Sequence, residues 1–233
     1  MALPTIESPK YFLTVPSTKQ TVEFRPFLVK EEKVLMIAQE AGTNQSMISA
    51  MKDIIKSCTF GAIDLYSLAM SDLEYILLQL RSKSVGETSK IKFHCDECDE
   101  IIDMEIDLSE IEVSESENKE NKIQLTDDIG ITLKSPGLKE AEIAARSNKT
   151  NNTIVQSLMT VIESVYDGEA VYPFTDASPK EIENFIDSLS SKQVVKIKEW
   201  VDGLPSLKKE IKFKCSKGKE RTKILSGLDD FFG

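Results

Sequence analysis

Apolar and polar positions change period several times along the chain. Tyr11 to Val15 is a strand-like run and Thr21 to Arg25 alternates apolar with polar residues, with turn-forming Pro16-Ser17-Thr18-Lys19-Gln20 between them, which predicts a β-hairpin. Pro26 ends the second strand, because it has no N–H to donate to the ladder. The period then becomes helical. Val34, Leu35, Ile37 and Ala38 mark a stripe over Lys30 to Ala41, and Met47, Ile48, Met51, Ile54 and Ile55 mark another over Gln45 to Lys56. Ser71 to Lys83 has Leu73, Ile76, Leu77 and Leu80 at helical spacing, and Ser71-x-x-Glu74 has the form of a capping box. Alternation returns in Lys90 to His94 and Ile101 to Leu108, and the short turn from Cys95 to Glu100 makes them a second hairpin.

The stretch from Ser109 to Asn121 holds five glutamates and few apolar residues, which predicts a solvated, mobile loop. Beyond it, Lys122 to Leu125 and Ile131 to Leu133 flank Asp128-Ile129-Gly130 as a further hairpin. Helical periodicity marks Leu138 to Arg146, Asn152 to Tyr166, Pro179 to Leu189 and Lys192 to Asp202, with Ser178 capping the helix that Pro179 opens. Strand patterns at Lys209 to Lys214 and Arg221 to Ile224 precede an apolar tail. Helices and antiparallel hairpins come in blocks without βαβ alternation, so the fold class is α+β. The organisation read from the pattern is an N-terminal hairpin (1–28), a first helical module (29–108), the acidic loop (109–121) and a second helical module with the tail (122–233).

Two 25-residue stretches, Ser71 to Cys95 and Ser191 to Cys215, align without a gap. Each reads as a serine cap, an amphipathic helix in which Leu80 matches Trp200, a glycine-containing loop, and Ile-Lys-Phe-x-Cys. Self-similarity at a fixed offset is the mark of repeated units, so an internal duplication is expected. It would place the Cys95 and Cys215 turns face to face, as a degenerate zinc-ribbon-like pair of hairpins.

Length and composition suit a globular chain: 233 residues, 40% hydrophobic and 29% charged. The formal net charge of -10 repels phosphate backbones and anionic membranes, so no nucleic-acid partner is expected. No apolar run is long enough to span a bilayer. Met1 to Lys10 lacks the pattern of a secretory signal, which predicts a protein that stays in the cytoplasm where it is made.

There cysteines stay reduced or bind metal. Cys95-Asp96-Glu97-Cys98 on a hairpin turn has the form of a zinc knuckle, where a tight turn aims two thiolates at one ion. The candidate ligands are Cys95, Cys98 and Cys215. A fourth is missing, because Gly218 stands where a second Cys-x-x-Cys would end. Two readings stay open. In one, Asp96, Glu97 or Asp99 completes a zinc site; in the other, the cysteines are a relic in a hairpin held by packing, with no cofactor. His94, the sole histidine, follows strand alternation to the face opposite Cys95, and Cys58 is remote in sequence.

No catalytic constellation is present in the sequence. A single histidine leaves no Ser-His or Cys-His arrangement except through His94. Redox Cys-x-x-Cys opens a helix, which lowers a thiol pKa, whereas this motif joins two strands. Ser84-Val85-Gly86-Glu87 has too few glycines to cradle a phosphate.

Four segments resemble the baseplate protein family of T-even-like tailed phages: Pro26 to Lys33 (PFLVKEEK), Leu78 to Glu87 (LQLRSKSVGE), the Phe93-to-Cys98 knuckle and Gly227 to Phe232 (GLDDFF). The resemblance runs nearly end to end. It implies a non-enzymatic protein of late virion morphogenesis that helps assemble the central hub of the tail baseplate, either as a transient chaperone or as a built-in structural subunit. Its partners would be other baseplate hub proteins. It would act in the cytoplasm of the infected bacterium, and the finished virion baseplate is a second location. The family pattern implies paired Cys-x-x-Cys turns, from which this sequence departs at Gly218. An alternative is a zinc-ribbon binding module with a regulatory role. The tail Leu225 to Gly233 reads either as an exposed docking peptide or as a segment folded onto the protein's own core.

Overall fold

The computed structural model describes residues 6–95, 98, 100–146, 153–215 and 218–232. The chain forms two compact units, one of residues 1–114 and 206–233 and one of residues 115–205. The second is therefore an insertion in the first.

The first unit begins with the expected hairpin, β1 (Tyr11–Thr14) against β2 (Thr21–Phe24). Helices α1 (Val29–Ala41), α2 (Asn44–Cys58) and α3 (Met70–Val85) follow. Helix α2 is capped by Thr43, whose hydroxyl accepts from the Ser46 N–H, and it buries Met51, Ile54, Ile55 and Cys58, close to the predicted stripe. In α1 the stripe is only partly right. Ala38 is buried and Val34 and Leu35 are half-buried, but Ile37 is 66% exposed. Ser71 does not cap α3. The helix starts one residue earlier after Ala69, and a tertiary contact fixes that start: the buried Asp72 carboxylate accepts from the N–H (3.0 Å) and hydroxyl (2.6 Å) of Ser17 in the β1–β2 turn. A carboxylate in the first turn also suits the helix dipole.

Strands β3 (Thr88–His94) and β4 (Ile101–Asp107) pair antiparallel from Thr88↔Asp107 to His94↔Ile101. The acidic stretch is more ordered than its composition predicts: Ile111 is buried at 1% exposure and Glu112–Val113 forms β5. Ile111 in the core, half-buried Val113 beside it and the ladder to Leu207 and Lys208 fasten this part of the stretch.

The inserted unit holds a four-stranded sheet in the order β6 (Lys122–Gln124), β7 (Ile129–Leu133), β8 (Ile162–Asp167), β9 (Ala170–Pro173), with helices α4 (Leu138–Arg146), α5 (Thr153–Val161), α6 (Pro179–Asp187) and α7 (Ser191–Asp202). Asn152 to Tyr166 is thus not one helix. Its first residue lies outside the described residues, α5 stops at Val161, and the remainder is an interior strand. Gly130 is not in a turn but within β7, opposite Tyr166. A Cβ there would lie 2.1 Å from the Tyr166 ring, so the glycine makes room for an aromatic lying across the strand. Helix α6 has the expected Ser178 cap, with Glu181 completing a capping box. Helix α7 is preceded by Ser190, not Ser191, as its cap; the Ser190 N–H and hydroxyl both reach Gln193 Oε1 at 2.7 Å. Ile131, Leu133, Leu158, Val161, Ile162, Ile186 and Ile197 form this unit's core.

The chain then returns to the first unit as β10 (Leu207–Lys214), β11 (Glu220–Ser226) and α8 (Gly227–Phe232). Sheet order is β11-β10-β5, and Ser114 and Ser206, where the chain leaves and returns, are hydrogen bonded, N–H to C=O at 2.9 Å. The tail folds back. Phe231 is 0% exposed, and its carbonyl accepts from the buried Ser89 hydroxyl at 2.9 Å. Phe231 shares one core with Leu78 of α3, Ile91 and Phe93 of β3, Ile106 of β4, Ile211 of β10 and Leu225 of β11. The fold is α+β, built from helices and antiparallel sheets.

Candidate functional site

Strict alternation along β3 buries Ser89, Ile91 and Phe93 and exposes Lys90, Lys92 and His94, so Cys95 arrives on the inward side at 3% exposure. The Cys95 N–H donates to the Glu100 carbonyl at 2.9 Å and closes the turn. Along β10, Ile211 is buried and Phe213 half-buried, and Cys215 follows at 4% exposure. The Gly218 N–H bonds back to the Cys215 carbonyl at 2.8 Å, and Gly218 has φ +74°, a left-handed conformation that favours glycine. Phe93 and Phe213 meet edge to face with centroids 5.0 Å apart, so the two hairpins pack through the same residue of each Ile-Lys-Phe-x-Cys.

This packing brings the three predicted cysteines together. The sulfurs of Cys95, Cys98 and Cys215 all lie within 4.8 Å of one another. None of the four cysteines is in a disulfide. The Cys98 thiol sits above its ordinary range: a backbone hydrogen bond at Glu100 lowers it, and the Cys95 and Cys215 sulfurs together with desolvation outweigh that. Glu100, which the sequence did not single out, places Oε2 3.8 Å from Cys98 Sγ. Asp96, Glu97 and Asp99 lie outside the described residues. His94 faces outward, as alternation predicts.

Cys58 stands apart at the end of α2, beside Arg25, and burial pushes its thiol up to about 11 against the opposing Arg25 charge. It borders a buried polar network that the sequence also did not reveal. Arg25 Nη2 donates to Glu31 Oε1 (2.8 Å) and to the Ser57 hydroxyl (3.0 Å), and the Ser57 hydroxyl donates to Glu31 Oε1 (2.8 Å). Glu31 Oε2 accepts the Leu28 N–H at 2.9 Å, satisfying a donor at the start of α1. Burial raises the Glu31 pKa, but the bonds from Arg25, Leu28 and Ser57 and the Arg25 charge outweigh it and hold the carboxyl at about 2. The segment PFLVKEEK thus includes the carboxylate that locks the first helix in place.

The outer side of α1 exposes three large apolar residues around the charged Lys33 and Glu40. Val29 (65%), Met36 (55%) and Ile37 (66%) are exposed at positions i, i+7 and i+8, which share one helical face. Leu28 and Val29 also line a shallow groove with Phe27, Lys30, Glu32, Ser84 and Val85.

The family described as T4 bacteriophage base plate protein matches residues 8–233. The chain belongs to this family. As a baseplate-family protein it is similar to the "Baseplate hub assembly protein gp26" of Enterobacteria phage T4, with 23% identity over 225 residues, covering 96% of this chain and 98% of that protein. No solved structure matches it. Among the described residues of this baseplate protein, no helix is long and apolar enough to cross a membrane.

Proposed function

We propose that this baseplate protein assists assembly of the central hub of a phage tail baseplate, without catalysis, through contacts with other hub proteins in the infected cell. The likeness to a hub assembly protein along almost the whole length of both chains supports the hub role. The observation that carries the contact mechanism is the face of α1. Three large apolar residues over two helical turns beside a groove at the helix start would suit a partner's apolar side chains, with Lys33 and Glu40 as a polar rim. The folded-back tail supports α1 over the C-terminus as that surface, because Phe231 is already spent on the core.

Co-purification with the hub proteins of the same phage tests the proposal. The wild-type chain is expected to retain at least one, and Met36→Lys/Ile37→Lys, on an exposed face, is expected to release it with the fold intact. Retention by the double variant would dismiss α1 as the surface. If the wild-type chain binds none and a deletion phage builds normal baseplates, the hub role is wrong. Mass spectrometry of purified virions separates a transient assembly factor from a resident subunit.

A further inference from the structure

We infer that Cys95, Cys98, Cys215 and Glu100 form one tetrahedral site for a zinc-class divalent cation, which clamps the β3–β4 hairpin to the β10–β11 hairpin. The sequence offers three sulfurs and no fourth ligand; the structure sets a carboxylate, Glu100, beside one of the three.

Zinc–sulfur bonds of about 2.3 Å place two sulfurs on one tetrahedral ion about 3.8 Å apart. The three sulfurs here lie within 4.8 Å of one another, so closing onto an ion takes shifts of about 1 Å or less, within the reach of cysteine side-chain rotation. A zinc-bound carboxylate oxygen at about 2.1 Å would stand about 3.6 Å from a neighbouring sulfur. Glu100 Oε2 stands 3.8 Å from Cys98 Sγ but is not within 4.8 Å of all three sulfurs, so to ligate the same ion its side chain must rotate toward Cys95 and Cys215. Cys95 and Glu100 are fixed relative to each other by the bond from the Cys95 N–H to the Glu100 carbonyl, so the turn holds sulfur and carboxylate on the same side of the hairpin end.

The donor set selects the ion. Three thiolates exclude magnesium and calcium, which take oxygen ligands, and a carboxylate suits copper(I) poorly; zinc accepts both sulfur and oxygen. A disulfide is a weaker account of the cluster, since it would use two sulfurs and leave the third beside them. Cys215 comes from a segment more than a hundred residues after Cys98, so the ion would close a long loop that includes the whole inserted unit.

The full-length chain, reconstituted with zinc and passed over a desalting column in chelator-treated buffer, is expected to keep stoichiometric zinc by plasma mass spectrometry. Cys98→Ser and Cys215→Ser are expected to lose it. Cobalt in place of zinc is expected to show thiolate charge-transfer absorption of three-sulfur intensity. Glu100→Gln, a polar substitution at a half-exposed turn position, keeps the fold testable if the cysteine variants unfold; it is expected to weaken zinc binding by on the order of 10- to 100-fold in chelator competition. Wild-type protein without stoichiometric zinc overturns the site. Unchanged zinc content in Cys215→Ser shows that the ion does not join the hairpins, and unchanged affinity in Glu100→Gln removes the carboxylate from the ligand set.

Discussion

The two Ile-Lys-Phe-x-Cys segments end in the same place, but the helices before them do not. Ile91 and Ile211 are 3% and 5% exposed in one core, and Phe93 meets Phe213 across it. Helix α3 belongs to that same unit and sends Leu78 into the same core, whereas α7 belongs to the inserted unit, where Ile197 and Trp200 pack with Leu133, Val161 and Ile186. The likeness between the strands therefore reports a shared environment. The helices share an amphipathic pattern, which any helix with one buried stripe displays, but not a core.

The largest expected effect tests how far the first unit depends on polar burial. Glu31→Gln strands Arg25, whose side chain is 11% exposed, and is expected to cost about 3–5 kcal/mol in chemical denaturation. The Glu31 pKa is depressed on folding, so its contribution is complete above the ordinary glutamate range and is lost as pH falls toward about 2. The wild-type protein should lose stability across that window, and the variant should have a flatter acid limb.

Ile91→Ala and Ile211→Ala come next, each at about 2–5 kcal/mol. Matching losses would affirm that the two strands are equivalent, and a gap of several kcal/mol would break the comparison. A double-mutant cycle between Phe93→Leu and Phe213→Leu should return a coupling of about 0.5–1.5 kcal/mol, the worth of an edge-to-face pair. The smallest effect lies in the inserted unit. Gly130→Ala should cost about 1 kcal/mol, because the Tyr166 ring must move and its bond to Gln124 Oε1 (2.9 Å) must yield. That loss should vanish in a Tyr166→Ala background; if it persists, the ring is not what demands the glycine.

These residues also show what could be read from the sequence. Period-two alternation gave β2 and β3 within a few residues, and the Cys-x-x-Cys turn with its partner at Cys215 identified three residues that the fold does bring together. Periodicity does not separate β8 from α5, because its apolar residues follow those of the helix without a polar break. Asp167-Gly168 between Val165-Tyr166 and Ala170-Val171, with Gly168 at φ +57°, was the hairpin signal that could have separated them. The serine pattern sets the caps of α3 and α7 one or two residues late, because Ser17 fixes one start and Gln193 the other. Glu100 and the Arg25–Glu31–Ser57 network had no local signature. Their partners are set by the turn backbone in one case and by the docking of α2 in the other.

Phe231 also sets the order in which the chain can mature on the ribosome. The inserted unit has all its residues once Pro205 has emerged from the exit tunnel. The unit made first cannot complete its core until Phe231 follows and its carbonyl meets Ser89. A chain that stops short of Phe231 would leave the core of the first unit incomplete, with apolar residues such as Ile91 and Leu78 open to proteolysis.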